Sequence, residues 1–507
     1  METLFNPAWL RYWPVAAFYA VAIAAGLAFA LFRRRRAESG APAVPRAQIA
    51  GWVAISVLPP LVYLAALSWK FDTQAALFCA IMSATVLAWM FTLADEYVPV
   101  LLAVVATVFS GLAPARVALG GFSSPTLLML LGVFALSAVV TSSALSTRLM
   151  LWSLLKLPDR PFWRQLVLLA GGYLLSPVMP SANARIALLV PVFRDMADIM
   201  RLPARGLAVT ALFAATFAGG TLFAPMMATS RGANIAAIGF LPAQMQPEFL
   251  GIFWLVAAAV AAIVVTAAHF AAMARVFPRG EAERLCADDL RQRLSALGPM
   301  KAAEWMAAFL FTFFLCGCLT VSWHHVPPSV LGGCVLIALL FSGLLTRQEF
   351  RKNIDWPMIV FLLGVDSILR IMNHLGIGES LGAASAGLFA FVGGNIGLFI
   401  VAALATTLAL RFVLTVTPCM LTSAIILMPV AMSGGIHPWI AIFLAAMFSD
   451  IWFVRYQGTT GYLQMCSLGL DRRIDEAAFL RYNMWLNAGR LAAAFASIPW
   501  WKWLGFL

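Results

Sequence analysis

Residues 13–32 read WPVAAFYAVAIAAGLAFALF, twenty positions without a charge, and apolar runs of similar length recur along the whole chain. A bilayer core takes about 20 apolar residues as helix, so these runs fix the surrounding solvent before any motif is read. Composition agrees, with 62% hydrophobic and only 11% charged residues among 507; a soluble domain carries about 25% charge. The net charge of +12 would suit a nucleic-acid partner if it lay on one face. Instead the basic residues sit in short loops between apolar runs, the positive-inside pattern of a membrane protein, so the bilayer is the partner and nucleic acid is not. The seven cysteines, Cys79, Cys286, Cys316, Cys318, Cys334, Cys419 and Cys466, are scattered without a C-x-x-C pair, which argues against a disulfide framework or a zinc site.

The run at 13–32 is followed, not preceded, by Arg33, Arg34, Arg35 and Arg36. It reads as a retained first helix with its N-terminus outside rather than as a cleaved signal. Further spans are expected at roughly 50–68, 74–94, 98–114, 125–146, 206–228, 249–274, 304–323, 328–346, 357–374, 437–456 and 484–502. Two apolar regions, 165–200 and 393–433, are interrupted in the middle by Pro180-Ser181-Ala182-Asn183 and by Thr417-Pro418-Cys419. Each is read as a re-entrant helical hairpin. With that threading most loop arginines and lysines fall on the cytoplasmic side, leaving Arg11, Lys70, Arg116 and Lys502 outside. The expected fold is all-α and integral to the membrane, with about twelve crossings, two hairpins and both termini outside. Its parts are an extra N-terminal helix and basic loop (1–49), a first half (50–275), a cytoplasmic linker helix (276–303) and a second half (304–507).

An internal match supports two halves. PTLLMLLGVFAL (125–136) and PMIVFLLGVDSI (357–368) agree at Pro, Leu, Leu, Gly and Val with an offset of 232, and LLVPV ending at Val192 matches ILMPV ending at Val430 with an offset of 238. By the threading above, one hairpin enters from each side, so the repeats are inverted. A chain that stops half-way through a bilayer bares N–H and C=O groups that lipid cannot satisfy, so such a break survives only inside protein or beside a wet cavity. There, helix N-termini can receive an anion, while freed carbonyls and hydroxyls can hold a cation.

With those segments in view the chain resembles the divalent anion/sodium symporter family, the SLC13-like branch of the ion transporter superfamily. The resemblance runs through LAWMFTLADEYVPVLLAVVATVFSGL (87–112), GFSSPTLLMLLGVFALSAVVTSSALSTRL (121–149), SANARIALLVPV (181–192) and AATFAGGTLFAPMMATSRGAN (214–234), and then, in the same order, DWPMIVFLLGV, TPCMLTSAIILMPV and YQGTTGYLQM. It implies a homodimeric, elevator-type secondary carrier of dicarboxylates, citrate or sulfate, often sodium-coupled, with substrate held between two Ser-Asn-Thr hairpin tips. Here the first tip reads Ser181-Ala182-Asn183, and the second, Cys419-Met420-Leu421, keeps none of the three residues. Sodium wants several oxygen ligands, and that replacement removes side-chain oxygens.

The substrate-binding candidates are therefore Ser181, Ala182, Asn183, Arg185, Thr229, Asn234, Thr417, Thr422, Ser423, Thr459 and Thr460. Ser181, Asn183 and Gly220 are the candidates for a coupling sodium, and no other cofactor is implied. Arginine within an apolar span should be paired or line a pathway, and a guanidinium binds carboxylate or sulfate in bidentate fashion. Arg185, and after it Arg231, Arg411 and Arg455, are thus read either as fixed positive charge in place of sodium, suiting an exchanger, or as structural partners of helix ends or of Asp195 or Asp450. Asp366, Arg370 and His374 share one helix face, best explained as a salt-bridged packing surface. The five histidines are dispersed and neither H-E-x-x-H nor G-x-S-x-G occurs, so an enzyme is not expected. The rival is a transporter-fold receptor or scaffold in the same bacterial inner membrane, because the second tip has lost its motif.

Overall fold

The computed structural model describes residue 28 and residues 46–68, 72–91, 93–177, 179–242, 244–277, 287–320, 324, 326–377, 394–412 and 414–507. Apart from residue 28, the expected first helix at 13–32 lies outside them, as do Arg33 to Arg36 and much of the linker, 278–286. Every regular element among the described residues is helical. In chain order the main helices are α1 (Arg46–Ser68), α2 (Thr73–Met90), α3 (Tyr97–Phe109), α4 (Thr126–Ser142), α5 (Leu145–Lys156), α6 (Pro161–Leu175) and α7 (Ala182–Ile199). Then come α8 (Leu207–Thr221), α9 (Gly232–Ile238), α10 (Ala259–Val276), α11 (Ala287–Ala296), α12 (Ala302–Leu319) and α13 (Pro328–Phe341). The last are α14 (Trp356–His374), α15 (Ile396–Arg411), α16 (Val416–Ser433), α17 (Pro438–Phe448), α18 (Thr460–Ser467) and α19 (Glu476–Ala496).

Six of these helical stretches are long and apolar enough to cross a bilayer, namely Gln48–Ser68, Thr73–Met90, Leu207–Met226, Ala259–Val276, Trp356–His374 and Val416–Ser433. α3, α4, α12, α13, α15 and α17 are apolar but shorter. Several boundaries differ from the sequence expectation. The run at 437–456 is α-helical only to Phe448, the run at 206–228 only to Thr221, and α19 starts eight residues before 484. α5 is a further helix where a charged loop was expected. The chain does turn before Ser181, whose side chain accepts from Ala184 N–H and caps α7. The second hairpin break falls between the end of α15 at Arg411 and the start of α16 at Val416, and not at Thr417-Pro418-Cys419, which belong to the first turns of α16. There a proline removes no intrahelical hydrogen bond, so it does not break the helix.

The contacts divide the chain into two compact units, one of Met1–Ser124, Trp356–Gly393 and Val413–Pro418, the other of Pro125–Asp355, Gly394–Phe412 and Cys419–Leu507. In the first, α1 packs on α2 and α3 on α14. Gly364 of α14 makes the close approach possible, since a Cβ there would lie 2.4 Å from Val100 Cγ1 of α3. A 3-10 turn at Gly120–Ser123 seats against α14, where Gly121 N–H donates to Ser367 Oγ at 3.2 Å. Arg370 pairs with Asp366 at 3.3 Å, the packing role expected for that face. Glu96 Oε1 accepts from Thr415 Oγ1 at 2.8 Å.

In the second unit α4 packs on α13, and a Cβ on Gly132 would meet Gly332 O at 2.0 Å. Gly132 and Gly364 are separated by the 232 positions of the sequence match, and so are Val100 and Gly332. The two helix pairs thus use corresponding residues at their closest points. α8 and α17 form the interior of this unit. Every residue of α17 is buried, as is α8 from Val209 on, so both are apolar all round and hydrophobicity selects no outer face. Phe213, Phe217 and Phe479 meet edge to face, and Tyr462 stacks on Phe479. The linker helix α11 is tied to α7 by the ion pair of Arg293 with Asp195, and just beyond it Arg148 of α5 pairs with Glu304 of α12 at 3.0 Å. Asp195 is therefore engaged away from Arg185.

Candidate functional site

Two of the helices in the second unit are interrupted. α8 stops at Thr221 and resumes as α9 at Gly232, and α17 stops at Phe448 and resumes as α18 at Thr460. The sequence places glycines or hydroxyls at both interruptions, and the structure shows how each is held. Arg185, on the second turn of α7 and 0% exposed, donates from Nε to Gly220 O at 2.9 Å and from Nη1 to Ser230 O at 2.6 Å. Nη1 also donates to Met179 O, in the turn before α7. One guanidinium thereby closes off the last carbonyls of α8, those just ahead of α9 and one in the neighbouring turn. Positive charge at a helix C-terminus is favoured by the helix dipole as well as by the hydrogen bonds.

Arg411, the last residue of α15, treats the second interruption in the same way. Its Nε donates to Ser449 O at 2.9 Å, and its Nη2 to Gln457 O and, at 3.5 Å, to Gly458 O. The remaining carbonyls are satisfied from side chains too. Asn234 Nδ2 donates to Ala224 O at 2.8 Å and Met227 O at 2.9 Å, Ser230 Oγ to Met227 O at 2.7 Å, and Trp254 Nε1 to Pro225 O at 3.0 Å. At the second interruption, Trp452 O accepts from both Asn483 and Asn487 of α19 at 2.8 Å. Backbone that leaves a helix inside a membrane protein must find such partners.

The two interruptions meet through one ion pair. Arg231, just before α9, spans Asp450, just after α17, with Nη2 at 2.8 Å from both carboxylate oxygens. Asp450 is 1% exposed. Gly461 of α18 packs against Ile186 and Thr221, which brings the helix after the second interruption onto α7 beside Arg185. Arg231 alone pairs with Asp450, while three further buried guanidiniums, Arg185, Arg411 and Arg490, lie within electrostatic range of that carboxylate.

The sequence-derived candidates distribute unevenly over this arrangement. Arg185, Gly220, Thr229 and Asn234 are buried around the first interruption and Thr459 at the second. Ser181 and Ala182 are half-buried at the start of α7, whereas Asn183 and Thr460 are exposed. Thr417 belongs to the first unit, while Thr422 and the buried Ser423 lie along α16 in the second. Arg455 is exposed and pairs with Asp471 at 2.6 Å. Of the oxygens expected for sodium, Gly220 O already accepts from Arg185, Ser181 Oγ caps α7, and Asn183 is exposed. The sequence reading missed Arg490, Asn483 and Asn487, although an arginine within an apolar run is itself the cue.

What remains uncommitted is mostly donor. Arg185 Nη2, Arg231 Nη1, Arg490 Nη2 and the hydroxyls of Thr229 and Thr459 are buried without a hydrogen-bond partner among the described residues, beside two amide oxygens, Asn234 Oδ1 and Asn483 Oδ1. A surplus of buried N–H donors and positive charge is chemically suited to an anion. A groove of about 330 Å³ lined by Arg275, Arg481, Met484 and Trp485 lies elsewhere, at the meeting ends of α10 and α19.

A sequence model of citrate transporters, CitMHS, matches residues 86–448, well over half of the chain, covering the first interruption and ending at Phe448, where the second begins. The chain belongs to the citrate transporter family. Two curated relatives of this citrate transporter family member are more distant. A "membrane protein" of Cupriavidus necator is 22% identical over 271 residues, 52% of each chain. Inner membrane protein YbhI of Escherichia coli K12 is 22% identical over 309 residues, 59% of this chain and 64% of that protein. The match thus spans less than two thirds of either relative. In fold, the chain is similar to the crystal structure of the YdaH transporter of Alcanivorax borkumensis, with a TM-score of 0.50 at 15% identity, covering 77% of this chain and 88% of that one.

Proposed function

We propose that this citrate transporter family member is a secondary carrier of small multivalent organic anions of the citrate and dicarboxylate class, with sulfate as a further candidate. The observation that carries the proposal is the charge count at the interruptions, four guanidiniums against one carboxylate, with unpartnered donors facing no backbone acceptor. A guanidinium or hydroxyl donor left over in a low-dielectric interior is costly unless a ligand completes it. The resemblance to divalent anion/sodium symporters adds the elevator mode and the homodimer, and the loop charges add both termini outside an inner membrane. The matched contacts Gly132–Gly332 and Gly364–Val100 support the reading of two inverted repeats, in which α6 with α7 and α15 with α16 act as the re-entrant hairpins.

The carrier works without sodium in this reading. Arg185 and Arg411 take the carbonyls that a cation would need, and they are permanently charged. An anion leaving the site would expose that charge, which favours exchange of one anion for another over net movement. Uptake of labelled citrate, succinate and sulfate into proteoliposomes tests this directly. Expected are citrate or succinate uptake that is insensitive to a sodium gradient and faster with unlabelled anion inside. No uptake of any anion would favour the receptor or scaffold reading, and strict sodium dependence would overturn the coupling proposal.

A further inference from the structure

The four guanidiniums differ in how well their charge is compensated. Arg231 has both oxygens of a carboxylate, and Arg185 and Arg411 each bridge the carbonyl ends of an interrupted helix. Arg490, 2% exposed on α19, has neither. Its one hydrogen bond among the described residues runs from Nη1 to Asn487 Oδ1 at 3.0 Å, and Nη2 is buried without a partner. One neutral acceptor against several carbonyls for Arg185 and Arg411 and a carboxylate for Arg231 makes this the least compensated cation of the group. The carboxylates that could neutralise it are occupied. Asp450 is within its electrostatic reach but is spanned by Arg231. Asp475 and Glu476, at the far end of α19, respectively cap Ala478 N–H and lie 3.7 Å from Arg455.

The placement is also directed. Asn483, Asn487 and Arg490 fall at i, i+4 and i+7, one face of α19. Asn487 donates to Trp452 O inside the second interruption and accepts from Arg490, so it ties the guanidinium to the backbone of the candidate site. Asn483, which shares Trp452 O, leaves its own Oδ1 unpartnered beside it.

We infer that Arg490 is a charge-reading residue of the anion site, taking the additional carboxylate by which a tricarboxylate differs from a dicarboxylate, with Asn487 positioning it. The inference rests on the anion-carrier reading above and goes beyond it by naming the residue that sets substrate charge. In the loaded carrier Nη2 donates to that carboxylate, which supplies the counter-ion the protein omits. The other three arginines, already held by backbone or by Asp450, serve the architecture and the remaining charge of the substrate.

The test measures KM and kcat for citrate and succinate at one fixed pH, in proteoliposomes of the full chain, for the native protein, Arg490→Gln, Arg490→Lys and Asn487→Asp. Arg490→Gln is expected to raise the citrate KM about tenfold or more and the succinate KM by a clearly smaller factor, about threefold. Arg490→Lys should recover part of the citrate affinity. Asn487→Asp gives Arg490 a permanent carboxylate and should shift selectivity in the same direction as Arg490→Gln without removing the cation, which keeps the inference testable if Arg490→Gln does not fold. Equal changes for both anions, or unchanged KM in both Arg490→Gln and Asn487→Asp, would overturn it. If the native protein neither transports nor, in detergent, binds citrate or succinate, the carrier reading falls and this inference falls with it.

Discussion

The two interrupted helices face one backbone problem and solve it with the same group from different places. At the first, Arg185 comes from the helix after the turn at 176–181; at the second, Arg411 comes from the helix before the turn at 412–415. In both, Nε donates at 2.9 Å to a carbonyl at the end of the stopped helix, and a terminal nitrogen reaches a carbonyl two residues before the resumed one, Ser230 or Gly458. What differs is the surroundings. The first interruption is finished by its own Ser230 and Asn234, whereas the second borrows Asn483 and Asn487 from α19. The lesson is that unsatisfied helix ends in a membrane interior demand a multidentate cationic donor, while the element that supplies it is free to vary.

The largest effect should come from removing either arginine. Arg185→Ala leaves three buried carbonyls without donors and is expected to cost about 4 kcal/mol or more, read as thermal unfolding of the detergent-purified protein. Arg411→Ala should destabilise in the same way, since its Nε and Nη2 donate to carbonyls on both sides of the second interruption. A loss at one of the two positions only would break the proposed equivalence. Next comes the link between the interruptions. Asp450→Asn strands Arg231 and should cost about 3 kcal/mol, with much of it regained when Arg231→Met is added; additive losses in that double variant would mean that the pair is not coupled. A smaller contrast concerns the matched glycines. Gly132→Ala meets a backbone carbonyl and should lose about 3 kcal/mol, whereas Gly364→Ala meets a valine methyl, should lose about 1–2 kcal/mol, and should be rescued by Val100→Ala. Smallest in stability are Thr229→Val and Thr459→Val, at under about 1 kcal/mol each. If their hydroxyls serve the anion, the apparent KM rises in both; a rise in only one would show which interruption holds the substrate more closely.

Much of the architecture was legible because it follows from local pattern. Twenty-residue apolar runs announce helices, and Ser181 after Pro180 announces a cap. The second turn was misplaced by a few residues because Pro418 looks like a breaker, although proline in the first turn of a helix breaks nothing. Short interrupted helices such as α17 read as full spans, since Ile451-Trp452-Phe453-Val454 prolongs the apolar run beyond Ser449-Asp450 while the helix itself ends at Phe448. For the site, Arg185 stood out as a cation in an apolar setting, and the resemblance to the symporter family pointed to Thr229, Asn234 and Thr459. The sequence could not show that Arg185 is spent on carbonyls of a segment 35 to 45 residues away, nor that Arg231 and Asp450 find each other across 219 residues. Such pairings are products of tertiary packing and leave no local trace.

The helix pairs α3 with α14 and α4 with α13 carry a consequence for biogenesis. The chain must synthesise nearly 250 residues between the end of α3 and the start of α14. At about 5–20 residues per second that is a delay of roughly 12–50 s. Throughout it the seat around Val100 that Gly364 will enter has only lipid or an insertion chaperone against it. Nascent chains arrested before Trp356 should therefore be caught by the quality-control proteases of the membrane, and supplying the missing C-terminal segment as a separate polypeptide should spare them.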